Sequence, residues 1–276
     1  LGQRAIHTLS ALGQRFAATP AWHSSMPLPA PALPVPTSSP ALEKSVVYFP
    51  SCANRVFGAR ADAPATPSTA HHLLRILEQT GWQVRYPDQV KGLCCGMPFD
   101  SKGLPDTAEL QRQTLLKALQ SASEQGRYPI LIDASPCTLR LAQAAQQAGL
   151  LVYDVATFLH DAILPTVKLT PVPEKIALHV TCSTRRLGDV DKLIALARAC
   201  AQEVVLPASV GCCGFAGDRG FNYPELNKSA LRHLKSSIPN DTKLAFSTGK
   251  PCEIGLSEES GLDYRSIFYL VERCIH

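Results

Sequence analysis

Two segments of this 276-residue chain carry a cysteine doublet followed by glycine: Cys94-Cys95-Gly96 in GLCCGMPFDSKG and Cys212-Cys213-Gly214 in VGCCGFAGDRG. Each doublet stands between two single cysteines. Cys52 (YFPSCANRVFG) and Cys137 (DASPCTLRL) bracket the first, and Cys182 (HVTCSTRRLG) and Cys252 (GKPCEIGL) bracket the second. Eight of the ten cysteines therefore fall into two sets of one form, C then CC then C. Adjacent thiols close a mutual disulfide only by straining the peptide between them, but both can point at one metal centre. Four soft thiolates in one place suit an iron–sulfur cluster or zinc. The pattern predicts two thiolate metal centres, one on Cys52, Cys94, Cys95 and Cys137, the other on Cys182, Cys212, Cys213 and Cys252.

The competing reading of ten cysteines is a secreted scaffold of disulfides. Vicinal pairs have poor disulfide geometry, no secretory pattern opens the chain, and the cysteine density lies below that of small disulfide scaffolds. Cys200, on the apolar face of IALARACAQ, and Cys274, near the C-terminus, read as small core hydrophobes. His179 lies three residues before Cys182 and reads as a packed histidine at a strand end, with a replacement ligand as the alternative. His71 and His72 open a helix and carry no ligand spacing. Arg55, Arg185, Arg186 and Arg219 lie near cysteines. They could offset the charge of a thiolate-bound cluster or meet an anionic partner; solvated surface arginine is the plainer reading.

The remaining totals exclude more than they assign. An apolar fraction of 45% fits a soluble globular protein, and 276 residues suffice for two domains. A net charge of +4, with no basic stripe interleaved with aromatics, gives no reason to expect nucleic acid. No apolar run approaches the roughly 18 residues of a membrane span. Asn227-Lys-Ser and Asn240-Asp-Thr match glycosylation sequons that carry no weight in a reducing compartment. The first residue is Leu1, which fits a processed product or a piece of a longer protein.

The elements that must position the cysteines recur twice. Residues 1–19 show helical spacing of Ile6, Leu9, Leu12 and Phe16, and the proline-rich stretch from Pro20 to Pro40 reads as a linker. From about Lys44 onward, SVVYFPSCANRVFG aligns with KIALHVTCSTRRLG, the two CCG segments align, and PILIDASPCTLRL aligns with KLAFSTGKPCEIGL. The expected organisation is an N-terminal helix and linker over 1–43, one cysteine-rich domain over 44–165 and a second over 174–276. Each half alternates short apolar strands (Val46–Phe49, Ile130–Asp133, Ile176–Val180) with helices, roughly over 68–80, 106–124, 138–148, 188–202 and 224–236. The fold class is α/β: two similar domains, each a small parallel sheet flanked by helices, with right-handed crossovers. Because every cysteine segment follows a strand, both sets should gather at the carboxyl edge of a sheet, where ligands bind. Cys137 and Cys252 would sit at helix N-termini, which favour thiolates. Gly96 and Gly214 would let the chain turn behind the doublets. Gly103, Gly217 and Gly220 would bring loop amides to sulfur.

With these motifs, the chain resembles the cysteine-rich CCG domain proteins, such as the CCG-bearing subunit of heterodisulfide reductase and the iron–sulfur subunit of glycolate oxidase. YFPSC, CCGMPFDSKG, DASPCTL, CCGFAGDRG and CEIGL are similar to the C-terminal part of the FAD-dependent iron–sulfur D-lactate dehydrogenases, over about residues 20–276. The resemblance implies a [4Fe–4S] cluster in one or both halves, with FAD on an upstream module or a partner subunit. It implies passage of electrons from flavin toward a quinone or cytochrome, so the chain alone is not expected to be catalytically competent. It implies a cytoplasmic location, peripheral at the inner membrane face. Two features depart from the family: Ala134 and Gly249 replace the first cysteine of a Cys-x-x-Cys, leaving four ligands per half rather than five, and no ferredoxin-type cysteine run is present. An ordinary [4Fe–4S] cluster is therefore expected over a noncubane one, with zinc possible in one site. Two other classes compete: a zinc-stabilised docking module without redox activity, and a thiol–disulfide catalyst using the doublets.

Overall fold

Short apolar runs, buried in the central strands and partly exposed at the edges, build two parallel sheets. The computed structural model describes residues 8–10, 12–13, 26–37, 44–61, 66–208 and 210–275. The first sheet contains β1 (Lys44–Phe49), β2 (Trp82–Arg85), β3 (Ile130–Ile132) and β4 (Val152–Asp154), in the order β2-β1-β3-β4. The second contains β5 (Val172–Leu178), β6 (Ala201–Val205), β7 (Leu244–Ser247) and β8 (Tyr264–Ser266), in the order β6-β5-β7-β8. Every pairing is parallel. The fold is α/β, and the two sheets share one topology, as a duplication requires. In each sheet the chain order reverses beside the first strand, so a crevice opens at the carboxyl ends of β1 and β3, and of β5 and β7.

The expected helices are present as Thr69–Gln79, Pro105–Ala122, Ser135–Gln147, Val190–Cys200 and Pro224–Leu231. The halves do not stand apart. The helix Ile267–Cys274, which ends the second half, packs against Thr69–Gln79 of the first, and Val155–Phe158 of the first half packs against Val190–Cys200 of the second. One apolar core therefore runs from Val46 and Leu73 through Phe158 to Leu193 and Phe268. His72 Nδ1 and Arg75 both reach Glu272 across this seam.

Residues 8–10 and 12–13 are helical; the rest of the expected N-terminal helix lies outside the described residues. Residues 26–37 of the proline-rich stretch are extended and tied down. Leu28 donates its amide to Ala59 (2.9 Å) and Ala30 to Val56 (2.9 Å), while Gly58 donates to Leu28 (2.7 Å). Met26 reaches the core of the second half.

One buried carboxylate makes stability depend on pH. Burial, then the nearby charge of Asp189, pushes Asp154 up to about 7, against amide hydrogen bonds from Ala156 and Val155. The folded pKa thus exceeds the ~3.9 of an unfolded aspartate, so the group's contribution is intact below about pH 4 and is lost as pH rises through about 7. Asp154→Asn keeps the size of the side chain and an oxygen to accept from the Thr138 hydroxyl, and is expected to raise stability at pH 8 by on the order of 2 kcal/mol. Thermal melts should show the gain shrinking toward pH 5; an equal gain at both pH values would contradict the assignment.

Candidate metal centre

Each half brings its four cysteines into one contact chain at the carboxyl edge of its sheet. In the first, Cys52 lies beside Cys94, Cys94 adjoins Cys95, and Cys95 Sγ lies 3.2 Å from Cys137 Sγ. In the second, Cys182 contacts Cys212, Cys212 contacts Cys213, and Cys213 Sγ lies 3.0 Å from Cys252 Sγ. All eight cysteines singled out from the sequence are therefore gathered, four and four. The first set is deeper: Cys95 and Cys137 are buried, whereas Cys182 and Cys212 are exposed.

Local rules place each thiol. Cys52 opens the helix Cys52–Val56 behind a Ser51 cap, and Cys182 opens Cys182–Leu187 behind a Thr181 cap. Cys137 and Cys252 are third residues of Ser135–Gln147 and Lys250–Ser260, each preceded by proline in the first turn. Each set thus faces two helix N-termini, where unpaired amides favour thiolate; the sequence pointed to only one per half. The doublets turn on glycine. Gly96 (φ 87°) and Gly214 (φ 70°) are left-handed, and their amides point at the Cys94 and Cys212 sulfurs at 3.4 Å. Gly103 and Gly220 do not bring amides to sulfur, as the sequence suggested: their N–H groups bond Asp100 and Phe215 carbonyls.

The protons of the first set converge on one sulfur. Hydrogen bonds from Cys52 and Cys95, helped by the Gly96 amide, hold Cys94 far below the usual thiol range, while the same contacts push Cys52 up. Contact with Cys137, then Cys94, pushes Cys95 up. In the second set Cys213 pushes Cys212 up, and burial pushes Cys182 up. Metal loading would expel these protons.

The donor set fits a thiolate-bound metal in kind, and the Gly249 position supports the four-ligand reading. A Cβ built there would lie 3.9 Å from Cys252 Sγ, so a cysteine at 249 would face the set, as a fifth ligand must. Among the described residues, no three His, Cys, Asp or Glu side chains stand around a common point as ligands of an ion. Touching sulfurs explain this: around zinc, bonds of about 2.3 Å put sulfurs about 3.8 Å apart, and a cluster would spread them further.

Supporting residues escaped the sequence. Arg140 donates Nε to the Cys95 carbonyl (3.1 Å) and pairs with Asp100. In the second half Gly255 holds the corresponding place, and the buried Asn227 donates Nδ2 to the Cys213 carbonyl (2.5 Å). Asn227, noted only as part of a sequon, is a strut of the second doublet. Asn227→Ala is expected to cost about 1–3 kcal/mol by leaving that carbonyl unpaired, read as a lower Tm. Arg55 is no solvated arginine: Nη1 donates to the Val90 and Lys91 carbonyls (2.6 Å each) and Nη2 to Leu93, pinning the loop into Cys94. Arg219 reaches the Ser101 carbonyl (3.2 Å) and Lys102 pairs with Asp218 (2.7 Å), so the loops beyond the two doublets touch. Arg186 is exposed. Cys200 and Cys274 are buried core residues, as the sequence predicted, and Cys274 Sγ donates to the Cys200 carbonyl at 3.2 Å.

Twofold recurrence of sheet, doublet and thiol chain defines a duplicated cysteine-rich α/β protein. The sequence profile of the Cysteine-rich domain family (CCG) matches residues 46–142 and 176–256, and the chain belongs to that family, with two copies. It is similar to "Lactate utilization protein A" of Oceanobacillus iheyensis, 27% identical over 193 residues, covering 64% of this chain and 76% of that protein. It is also similar to a subunit of the anaerobic glycerol-3-phosphate dehydrogenase of Escherichia coli K12, 27% identical over 171 residues. That match covers 57% of this chain and 43% of the relative, so the chain spans less than half of that protein's length. Among solved structures, the aspartate racemase of Picrophilus torridus superposes with a TM-score of 0.31 at 8% identity, over 83% of this chain and 98% of that one, too loose a likeness to inform function.

Proposed function

We propose that this chain is the iron–sulfur electron-transfer part of a flavin-dependent D-2-hydroxy-acid dehydrogenase of the D-lactate dehydrogenase type. Cys52, Cys94, Cys95 and Cys137 hold one [4Fe–4S] cluster, and Cys182, Cys212, Cys213 and Cys252 hold the other, in halves spanning 44–165 and 174–276. When bound, the clusters supply a one-electron relay from FAD, on an upstream module or partner, toward a quinone or cytochrome. The protein's own residues fix the thiolates, shield the first set from water, and join the two doublet loops through Lys102–Asp218 and Arg219. The carrying observation is the convergence of four thiols per half on paired helix N-termini. The relatives' names, one a lactate utilization protein and the other part of a dehydrogenase, support a role in such an enzyme. Among the described residues no helix is long and apolar enough to cross a membrane; the proposed placement is cytoplasmic, peripheral at the inner face.

Zinc is the second reading, favoured by the greater exposure of Cys182 and Cys212, which suits a docking site more than a shielded redox centre. Electron paramagnetic resonance of anaerobically purified, dithionite-reduced protein separates the two. Signals from two reduced clusters are expected; a silent protein with stoichiometric zinc in both sites would end the electron-transfer reading.

A further inference from the structure

The helix starts that carry three of the cysteines meet at the seam between the halves. Ser135 opens the helix whose third residue is Cys137. Thr181 caps the helix that Cys182 opens, and Thr184 lies within it. Thr248 precedes Gly249, the cap of the helix that carries Cys252. The four hydroxyl oxygens form a closed cluster. Ser135 Oγ lies 3.1 Å from Thr181 Oγ1, 3.2 Å from Thr184 Oγ1 and 3.4 Å from Thr248 Oγ1. Thr181 Oγ1 lies 2.8 Å from Thr184 Oγ1 and 3.4 Å from Thr248 Oγ1, and Thr184 Oγ1 lies 3.1 Å from Thr248 Oγ1. Each oxygen therefore neighbours the other three, and all four residues are buried. Ser135 belongs to the first half and the other three to the second. The cluster also reaches the second thiol set, since a Cβ at Gly249 would stand 3.7 Å from Thr181 Cγ2 and 3.9 Å from Cys252 Sγ. The duplication supplies a comparison: Ser51, Asn54, Asp133 and Lys250 correspond to Thr181, Thr184, Thr248 and Ser135. There Asp133 accepts from the Ser51 amide and the Tyr48 hydroxyl (2.7 Å each), both of its own half. Lys250 turns to Glu253 of its own helix (2.7 Å). A hydroxyl cluster that crosses the seam is therefore not a by-product of the repeat.

We propose that Ser135, Thr181, Thr184 and Thr248 are positioning residues for both thiol sets, a joint that holds the helix starts carrying Cys137, Cys182 and Cys252 in one register. Each hydroxyl can donate one hydrogen and accept others, so the cluster satisfies itself without water and without charge. The helix N-termini that meet there keep their dipoles for the thiolates. A buried hydroxyl that loses its partners is costly, so the loss of one member disturbs the other three and the helices they belong to. Groups behind metal ligands commonly change metal affinity about ten- to a hundredfold when removed. The consequence particular to this joint is that a hydroxyl of the second half, on Thr184, supports Cys137 of the first. The joint concerns the thiols, whichever metal they hold; that both sets hold metal rests on the reading above.

The test follows the first set alone, in the full chain carrying Cys213→Ser and purified without oxygen with its metal retained. Thr184→Val keeps the shape of the side chain and removes the hydroxyl; Thr184→Ser keeps the hydroxyl and removes the methyl. After EDTA is added, metal still bound is read by elemental analysis. Metal should leave the first set about tenfold faster in Thr184→Val and at nearly the parent rate in Thr184→Ser. Ser135→Ala, in the chain carrying Cys95→Ser, should likewise speed release from the second set, and covers the case in which Thr184→Val does not fold. In metal-stripped protein, iodoacetamide should label Cys137 faster in Thr184→Val but not in Thr184→Ser, with Cys200, buried in the core, labelled no faster in either. Release across the seam that neither Thr184→Val nor Ser135→Ala moves, or equal damage from the two Thr184 changes, would overturn the joint. Protein that retains no metal would sink the metal-centre reading, and the labelling of Cys137 would then decide the joint. Metal held in both halves and indifferent to all three changes would sink the joint and leave that reading standing.

Discussion

Replacing Cys95 by serine is expected to remove one metal centre and leave the other. Cys95 is 1% exposed and links the doublet to Cys137 at 3.2 Å. A serine hydroxyl is a hard, weakly acidic group that holds soft iron or zinc poorly, and no neighbouring cysteine can replace it, since Cys52, Cys94 and Cys137 already belong to the set. Iron should fall from about eight to about four per chain. Cys213→Ser should do the same to the second set, and the double variant should be colourless. Metal binding also contributes to folding, so each single variant should melt lower when loaded and match the parent protein when both are stripped by chelator. Unchanged iron in Cys95→Ser would remove Cys95 from the ligand set. Loss of all iron would mean that the two halves assemble their centres as one unit.

The second large effect needs no metal. At Gly96 an added Cβ would stand 2.2 Å from the Ala108 carbonyl oxygen, on a backbone with φ 87° that L side chains rarely adopt. Gly214 repeats the situation at 2.6 Å from the Leu226 carbonyl oxygen. Neither contact can yield without moving a helix, because the obstructing atom is backbone. Gly96→Ala is expected to cost about 3 kcal/mol or more, from left-handed strain of about 1–2 kcal/mol plus the displaced helix Pro105–Ala122, and to lower Tm by roughly 10 °C. Gly81 is the control: its φ of 82° is equally unusual, but nothing lies within 4 Å of an added Cβ. Gly81→Ala should cost only about 1 kcal/mol. Equal losses at the two positions would show that conformation alone, not the close approach of the doublet to the next helix, demands glycine.

The duplicated architecture and the eight cysteines were legible because both follow from local rules. Short apolar strands have a run length and bordering turns that a sequence displays, and a doublet repeated with its flanking cysteines has few explanations besides a shared centre. The helix Ser135–Gln147 was expected from residue 138 and starts three residues earlier, because proline in its first turn both permits and signals that start. What stayed hidden depends on tertiary contact. Arg140 serves the Cys95 carbonyl and Asn227 the equivalent Cys213 carbonyl, from helices that do not correspond, so their shared role is invisible in the repeat. The exchange of end helices between halves could not be read from either half's periodicity, because an apolar face records that it is buried and not against which neighbour. Arg55 and Arg185 occupy equivalent places and do different things, since the loops they face differ in length.

The most direct test of two thiolate-held clusters is native mass spectrometry of the chain purified without oxygen, paired with acid-labile sulfide analysis. The account predicts a chain mass increased by two Fe4S4 units, falling to one unit in Cys95→Ser and in Cys213→Ser. A mass increased by zinc alone, or by nothing in protein that retains its fold, would contradict it.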